Sequence, residues 1–312
     1  MTMPPPGSPQ SDLPPDQQGR GGSYTCPYCR QSSGEIDQTC PHCGAPVDIR
    51  EHVSDSGWVE QPPIRDMARL HFSRSTCQIS GKFVPVADFG LHEDDWLYFS
   101  HHVLLHAAPT VRMENHNLPG GNWNRMLAGM PLVMMRAAGP GHIAFSHDDP
   151  GEAIAIPLMP GQAIDVHEHR FLVATGNVVY NWFPSNIWFT TGQGDDRETH
   201  YPMGMALDRF QPQETPGLLL LHSPGNVFIR DLQPGQTILI QPSALVYKDH
   251  TVQMRLHFEY PGGAYWFGNR WGVKQVWVSL YGPGRVAIQS VFERPEMTGF
   301  VYSDSGATAQ RW

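Results

Sequence analysis

From about Met67 onward, short apolar runs alternate with polar positions at period two, cut by Pro-Gly, Gly-Gly and Asn-containing turns. Segments 84–89, 96–105, 131–136 and 276–280 carry the pattern. Alternation at that period puts the apolar side chains on one face of a strand. Residues 67–312 are therefore predicted to form an all-β domain, with one helical turn over 123–128 after Pro119-Gly120-Gly121. Residues 1–22 show no such pattern. They are rich in Pro, Gly, Gln and Ser, cannot bury enough surface to offset their ordering entropy, and are predicted to be a disordered leader. A polar stretch over 51–66, running through Pro62-Pro63, is expected to be a linker.

The strand pattern repeats. Gly139-Pro140-Gly141-His142-Ile143, Ser223-Pro224-Gly225-Asn226-Val227 and Gly282-Pro283-Gly284-Arg285-Val286 each read as a turn entering a strand. A second element recurs as Pro160-Gly161-Gln162-Ala163-Ile164 leading to Phe171-Leu172-Val173-Ala174. Its partner is Pro234-Gly235-Gln236-Thr237-Ile238 leading to Ala244-Leu245-Val246-Tyr247, with a degenerate copy in Asp95-Trp96-Leu97 leading to Val103-Leu104-Leu105. Recurrent strand-turn-strand units predict a β-sandwich or wound barrel in which each unit feeds facing sheets.

Composition agrees with this class. The 312 residues are 40% hydrophobic and 11% aromatic, enough for a real core, while 31 Gly and 29 Pro leave little room for long helices. A net charge of -9 argues against nucleic-acid binding through overall positive charge. No N-terminal charged-then-apolar segment suggests a signal peptide, and no run long enough to span a membrane occurs.

The sharpest chemistry lies near the start. Cys26-Pro27-Tyr28-Cys29 and Cys40-Pro41-His42-Cys43, followed by Gly44, are two cysteine knuckles. Each can grip a metal ion from one tight turn, and together they complete a tetrahedral four-sulfur shell of the kind zinc favours. Cys26, Cys29, Cys40 and Cys43 are accordingly assigned to structural zinc in a ribbon over residues 23–50. All four positions are filled by protein, which points to structure rather than catalysis. The rival reading, two redox pairs or two disulfides, lacks the strand-helix pattern of a thioredoxin-type site. Only Cys77 is left over. A thiolate site with a lone unpaired thiol fits a reducing cytoplasm.

Several of the turn motifs carry a resemblance. Pro119-Gly120-Gly121, Leu127-Ala128-Gly129, Gly139-Pro140-Gly141, Leu158-x-Pro160-Gly161 and the run from Leu172 to Val178 stand in one order. Leu219-x-x-x-Ser223-Pro224-Gly225 and Leu232-x-Pro234-Gly235 continue it. This order resembles the "altered inheritance of mitochondria", or mitochondrial-biogenesis, family over about residues 67–292. The resemblance implies a fold like that of the tryptophan RNA-binding attenuation protein in repeated copies, and it implies no catalytic residues. The ribbon and the Pro-rich leader look like additions found in some bacterial members. The chain departs from the family's usual spacing at Gln193-Gly194-Asp195-Asp196-Arg197-Glu198.

Other candidate residues carry less. Gly161 followed by His167-Glu168-His169 matches the opening of a cupin metal motif, but Val173 and Ala174 stand where its Glu belongs. His167 and His169 align with Ser100 and His102, and with Gln241 and Ser243, which suits a strand bend at the surface. His101, His102 and His106 cannot all share one strand face. Glu93-Asp94-Asp95 and Asp148-Asp149 are read as turn chemistry, Cys77 as a small buried residue. Tyr265, Trp266, Phe267 and Trp271 form a candidate contact patch. The reading is a cytoplasmic, non-enzymatic scaffold or protein-interaction module: a zinc ribbon tethered to a β-domain, with a protein partner, homo-oligomer formation, no nucleic acid and no membrane span expected. Two rivals stay open: a cupin-like metalloenzyme using His167 and His169, and nucleic-acid binding through the ribbon.

Overall fold

A computed structural model describes residues 24–33, 39–45, 56–116, 134–147, 149–191, 195, 197–259 and 275–292. The expected leader, the helical turn over 123–128 and the aromatic patch of Tyr265 to Trp271 lie outside the described residues. Every named strand pairing is antiparallel, and no α-helix occurs among the described residues.

Strands are numbered in chain order. The ribbon holds β1 (Tyr24–Thr25) and β2 (Ser32–Ser33), and the expected linker contributes β3 (Val59–Glu60). Then come β4 (Ala68–Phe72), β5 (Ser75–Ser80), β6 (Val86–Leu91), β7 (Trp96–Ser100), β8 (Leu104–Ala107), β9 (Arg112–Asn115), β10 (Met134–Ala138) and β11 (Gly141–Ser146). The middle of the chain forms β12 (Gly151–Leu158), β13 (Ile164–His167), β14 (Phe171–Thr175), β15 (Val178–Pro184), β16 (Phe189–Thr191) and β17 (Glu198–His200). It continues through β18 (Ala206–Pro212), β19 (Gly217–Pro224) and β20 (Val227–Leu232). The last are β21 (Thr237–Ile240), β22 (Leu245–Asp249), β23 (Gln253–Glu259), β24 (Gln275–Tyr281) and β25 (Gly284–Gln289).

Four sheets hold most of these: a five-stranded sheet β4-β5-β6-β11-β8, a six-stranded sheet β12-β19-β14-β7-β10-β9, a seven-stranded sheet β15-β18-β13-β22-β25-β20-β3, and a three-stranded sheet β21-β24-β23. They stack in that order around three apolar layers. The first layer joins Leu70, Phe89 and Phe145 of the five-stranded sheet to Leu97, Phe99 and Leu220 of the six-stranded one. The second joins Tyr98, Phe171 and Leu221 to Val166, Phe210 and Ala287. The third joins Leu245 and Val286 to Ile240, Val278 and Leu280. Successive side chains of an interior strand alternate between layers, so β19 presents Leu218 and Leu220 to the first and Leu219 and Leu221 to the second.

The repeats read from sequence are the joints of this stack. Gly139-Pro140-Gly141 carries the chain from β10 in the six-stranded sheet to β11 in the five-stranded one. Ser223-Pro224-Gly225 carries it from β19 to β20, and Gly282-Pro283-Gly284 from β24 to β25, again between neighbouring sheets. The Pro-Gly-Gln turns are alike atom for atom. Gln162 donates its backbone N–H to Met159 O at 3.0 Å, and its side-chain oxygen accepts from the Met159 N–H at 2.8 Å. Gln236 repeats this on Gln233 at 3.0 and 2.9 Å. Gly161 and Gly235 have φ of +88° and +81°, the left-handed conformation that follows proline in a type II turn.

Each Pro-Gly-Gln turn leads to a strand that bends across to the next sheet. β13 passes into β14 through His167–Arg170, and β21 into β22 through a 3-10 turn at Pro242–Ala244. The degenerate first copy does the same from β7 to β8 through a 3-10 turn at His101–Val103. Its opening turn lacks Pro-Gly and is closed by the Asp95 N–H on His92 O at 3.0 Å. The bends therefore lie where the alignment of His167, His169, Ser100, His102, Gln241 and Ser243 puts them.

At the edges, β3 of the seven-stranded sheet and β12 of the six-stranded sheet are linked by Asn226. Its side-chain N–H donates to Glu60 Oε1 at 2.8 Å and Glu152 Oε1 at 3.4 Å. Burial, then the Glu60 charge, push the Glu152 carboxyl up to about 7. A carboxyl raised in the folded state contributes its stabilisation in full below its ordinary 4.5, and that contribution is lost as pH rises through about 7. Chemical denaturation from pH 4.5 to 8 should show that loss, on the order of 1–2 kcal/mol at this partly open site. Glu152→Gln should flatten the profile.

Candidate metal centre

The ribbon consists of two knuckles with the same backbone. Arg30 N–H donates to Cys26 O at 2.8 Å, as Gly44 N–H does to Cys40 O at 2.8 Å. Cys26 N–H donates to Gln31 O at 3.0 Å and Cys40 N–H to Ala45 O at 2.7 Å. The residue after each second cysteine is left-handed, with φ of 59° at Arg30 and 74° at Gly44. Arg30 bears a steric cost of about 1–2 kcal/mol there. Gly44 takes the same conformation without that cost, and a Cβ there would require the Arg65 side chain to shift.

These turns aim four thiols at one point. The Sγ atoms of Cys26, Cys29, Cys40 and Cys43 all lie within 4.8 Å of one another. Cys26 and Cys43 are 3.8 Å apart, as are Cys29 and Cys40. A disulfide requires about 2.05 Å. A tetrahedral shell with zinc–sulfur bonds of about 2.3 Å has edges of about 3.8 Å. The spacing fits a metal shell and excludes bonded pairs. Cys26, Cys40 and Cys43 are buried and Cys29 partly so. The Cys43 thiol holds Cys26 down at about 5, whereas Cys26 and burial push Cys43 up, and burial pushes Cys29 up. A divalent cation bound among these sulfurs would displace their protons.

The ribbon is docked on the β-domain rather than hung from it. Cys43 O accepts the Arg69 N–H of edge strand β4 at 3.1 Å. The Tyr28 hydroxyl donates to Ala155 O of edge strand β12 at 2.8 Å. Cys26, Tyr28, Cys40, Cys43 and Ala45 belong to the same apolar layer as Leu70, Cys77 and Ala155. Cys77 is fully buried, and burial holds its thiol well above the usual range.

The histidine candidates do not converge. His167 and His169 enter no group of three metal-ligand side chains among the described residues, and neither do His101, His102 and His106. His167 Nδ1 donates to Glu168 O at 3.1 Å, and burial, then Arg170, hold its ring down at about 4. His169 sits exposed at φ 64° in the bend. In the acidic turn, Asp94 pairs with Arg74 at 2.7 Å, and Asp95 accepts from the Ser75 hydroxyl and the Arg74 N–H. His92, Glu93 and Asp94 do form a group whose ligand atoms lie within 4.8 Å of one another, with His92 half-buried and both carboxylates exposed.

Sequence reasoning missed a buried ion triad. Asp165, fully buried on β13, receives Arg209 Nε at 2.6 Å and Nη2 at 3.0 Å from β18, and Lys248 Nζ at 2.6 Å from β22. The three are direct register partners across adjacent strands. Burial lowers Lys248 against the pull of Asp165, and the Asp165 hydrogen bond raises Arg209. The available signal was a charge inside one apolar run, Ile164-Asp165-Val166, and a charge at the end of another, Leu245-Val246-Tyr247-Lys248.

A family model, mitochondrial biogenesis AIM24, matches residues 77–291. The chain belongs to the mitochondrial biogenesis AIM24 family. The match starts at Cys77, so the four ribbon cysteines lie outside the AIM24 region. A crystal structure of a protein from Streptococcus pyogenes is similar, with a TM-score of 0.51 at 18% identity, covering 70% of this chain and 94% of that one. At that identity the likeness shows a shared fold. No match is found among curated proteins. No helix of the described residues is long and apolar enough to cross a membrane.

Replacing Asp165 by Asn should leave the buried Lys248 ammonium and the partly exposed Arg209 guanidinium without their carboxylate and destabilise the chain by about 3 kcal/mol. Exchanging all three together (Asp165→Leu, Arg209→Met, Lys248→Met) should cost far less. Urea unfolding of both variants checks this, and equal losses would contradict it.

Proposed function

We propose that the chain is a non-catalytic interaction scaffold in which Cys26, Cys29, Cys40 and Cys43 hold one structural zinc ion. The observation that carries this reading is the 3.8 Å sulfur spacing within a set whose four members all lie within 4.8 Å. The metal would supply charge neutralisation and rigidity to the knuckles. With four protein sulfurs, no position is left for water or substrate. The chain's own residues do the rest: Cys43 O and the Tyr28 hydroxyl bind the knuckles to two edge strands. The AIM24 region would then present a rigid stack of sheets to a protein partner. Free thiols at these positions and at Cys77 support a reducing compartment such as the cytoplasm.

Metal analysis of the purified full-length chain should give one zinc per chain, and Cys26→Ser/Cys29→Ser should give none. Because the ribbon side chains are part of the first apolar layer, that variant should also lose about 2–4 kcal/mol of stability. A metal-free wild-type chain, or zinc retained in the variant, would sink the reading.

A further inference from the structure

Strand β12 is an edge strand, yet its outer rim is partly covered. It pairs with β19 on one side only. In an antiparallel ladder, alternate residues turn both backbone groups away from the partner. Gly151 N–H goes to Phe83 O at 2.8 Å and Ala155 O receives Tyr28, so Gly151, Ala153, Ala155 and Pro157 are the outward set. Ala153 and Ala155 are nonetheless only 9% and 2% exposed, and they share an apolar layer with the ribbon. Pro157, with no N–H to offer, sits outward where an edge strand tolerates it.

Uncovered, this strand is an unusually good template for pairing. It is eight residues long, Gly151–Leu158, and Glu152 is its one charged side chain. It is also self-complementary. A two-fold axis through Ile154 sets Ala153 of one copy opposite Ala155 of the other. Each such pair exchanges both backbone hydrogen bonds, giving four across the axis, with Ile154 facing Ile154 and Glu152 facing Ile156. The Tyr28 hydroxyl, 2.8 Å from the Ala155 carbonyl oxygen, stands inside the spacing of about 4.8 Å at which a second copy's strand would pair. Beside β12 runs a cleft of about 850 Å³ whose walls include Tyr28, Val59, Ile154, Leu158, Ile229 and Tyr247. A second copy's β12 would roof its apolar side.

We infer that the ribbon is a removable cap on β12, and that its release lets two copies of the chain pair through that strand. This rests on the zinc reading for the trigger: metal holds Pro27 and Tyr28 in place, and its loss frees the rim. The pairing surface itself rests on β12 alone.

The test uses the full-length chain, with zinc release by a chelator followed by a colorimetric indicator and mass followed by sedimentation. Zinc release should convert monomer to dimer. Amide exchange over 151–158 should quicken at high dilution and slow again as dimer forms. Ala155→Pro removes an outward N–H that the ladder with β19 does not use, and that variant should release zinc equally yet stay monomeric. Tyr28→Ala breaks the cap without touching the thiols. It should keep its zinc and dimerise at least tenfold more tightly than wild type, and adding Ala155→Pro should abolish this. A chain that binds no zinc overturns the metal trigger, and Tyr28→Ala then decides the pairing surface. A chain that releases zinc but stays monomeric with unchanged β12 exchange overturns the cap. Equal dimerisation with and without Ala155→Pro overturns β12 as the surface.

Discussion

Unpaired strand edges must be satisfied, and the arrangement of this protein follows from how that is done. β4 and β12 end the five- and six-stranded sheets, and each offers outward backbone groups that no strand of its own sheet can take. The cysteine knuckles answer both, with Cys43 O accepting from Arg69 and Tyr28 donating to Ala155. One small segment with little core of its own thus becomes a wall of the first apolar layer. Its rigidity then matters well beyond its size, since a loose ribbon would expose both edges together. On the neighbouring sheet, β3 covers the outer side of β20 through Val59 and Glu60.

What could be read from the sequence was local. The knuckles are spelled within four residues each, and the Pro-Gly-Gln turns within four, because ligand spacing and turn chemistry are decided by near neighbours. The joints between sheets were legible for the same reason. The docking of the ribbon was not. Tyr28 and Ala155 are 127 residues apart, and nothing in a Cys-Pro-Tyr-Cys turn says where its tyrosine will bind. Whether the ribbon folds back on the β-domain could not be read from the sequence; the shared apolar layer shows that it does. Asp165 escaped notice likewise, because its partners lie 44 and 83 positions away and meet it only through strand register.

The triad illustrates how the seven-stranded sheet resists slippage. A shift of one residue in β13 would turn Asp165 to the opposite face and leave Arg209 and Lys248 without their carboxylate. Apolar side chains alone tolerate such a slip poorly, but a buried ion set penalises it far more heavily. The guanidinium of Arg209 also packs 4.5 Å from the Phe183 ring, which extends the same constraint to β15. Specificity of pairing, rather than net stability, is the physical contribution of these charges.

The stack also distinguishes its ends from its middle. β5 and β6 alternate strictly between buried and half-buried positions, whereas all of β14 and nearly all of β19 are buried. An interior sheet carries two apolar faces and an outer sheet only one, so no repeat can be excised without leaving an apolar face bare. Modules of this kind cannot be shuffled like beads on a string. A gain or loss of one unit is tolerated only at an end, where a one-faced sheet can be replaced by another one-faced sheet.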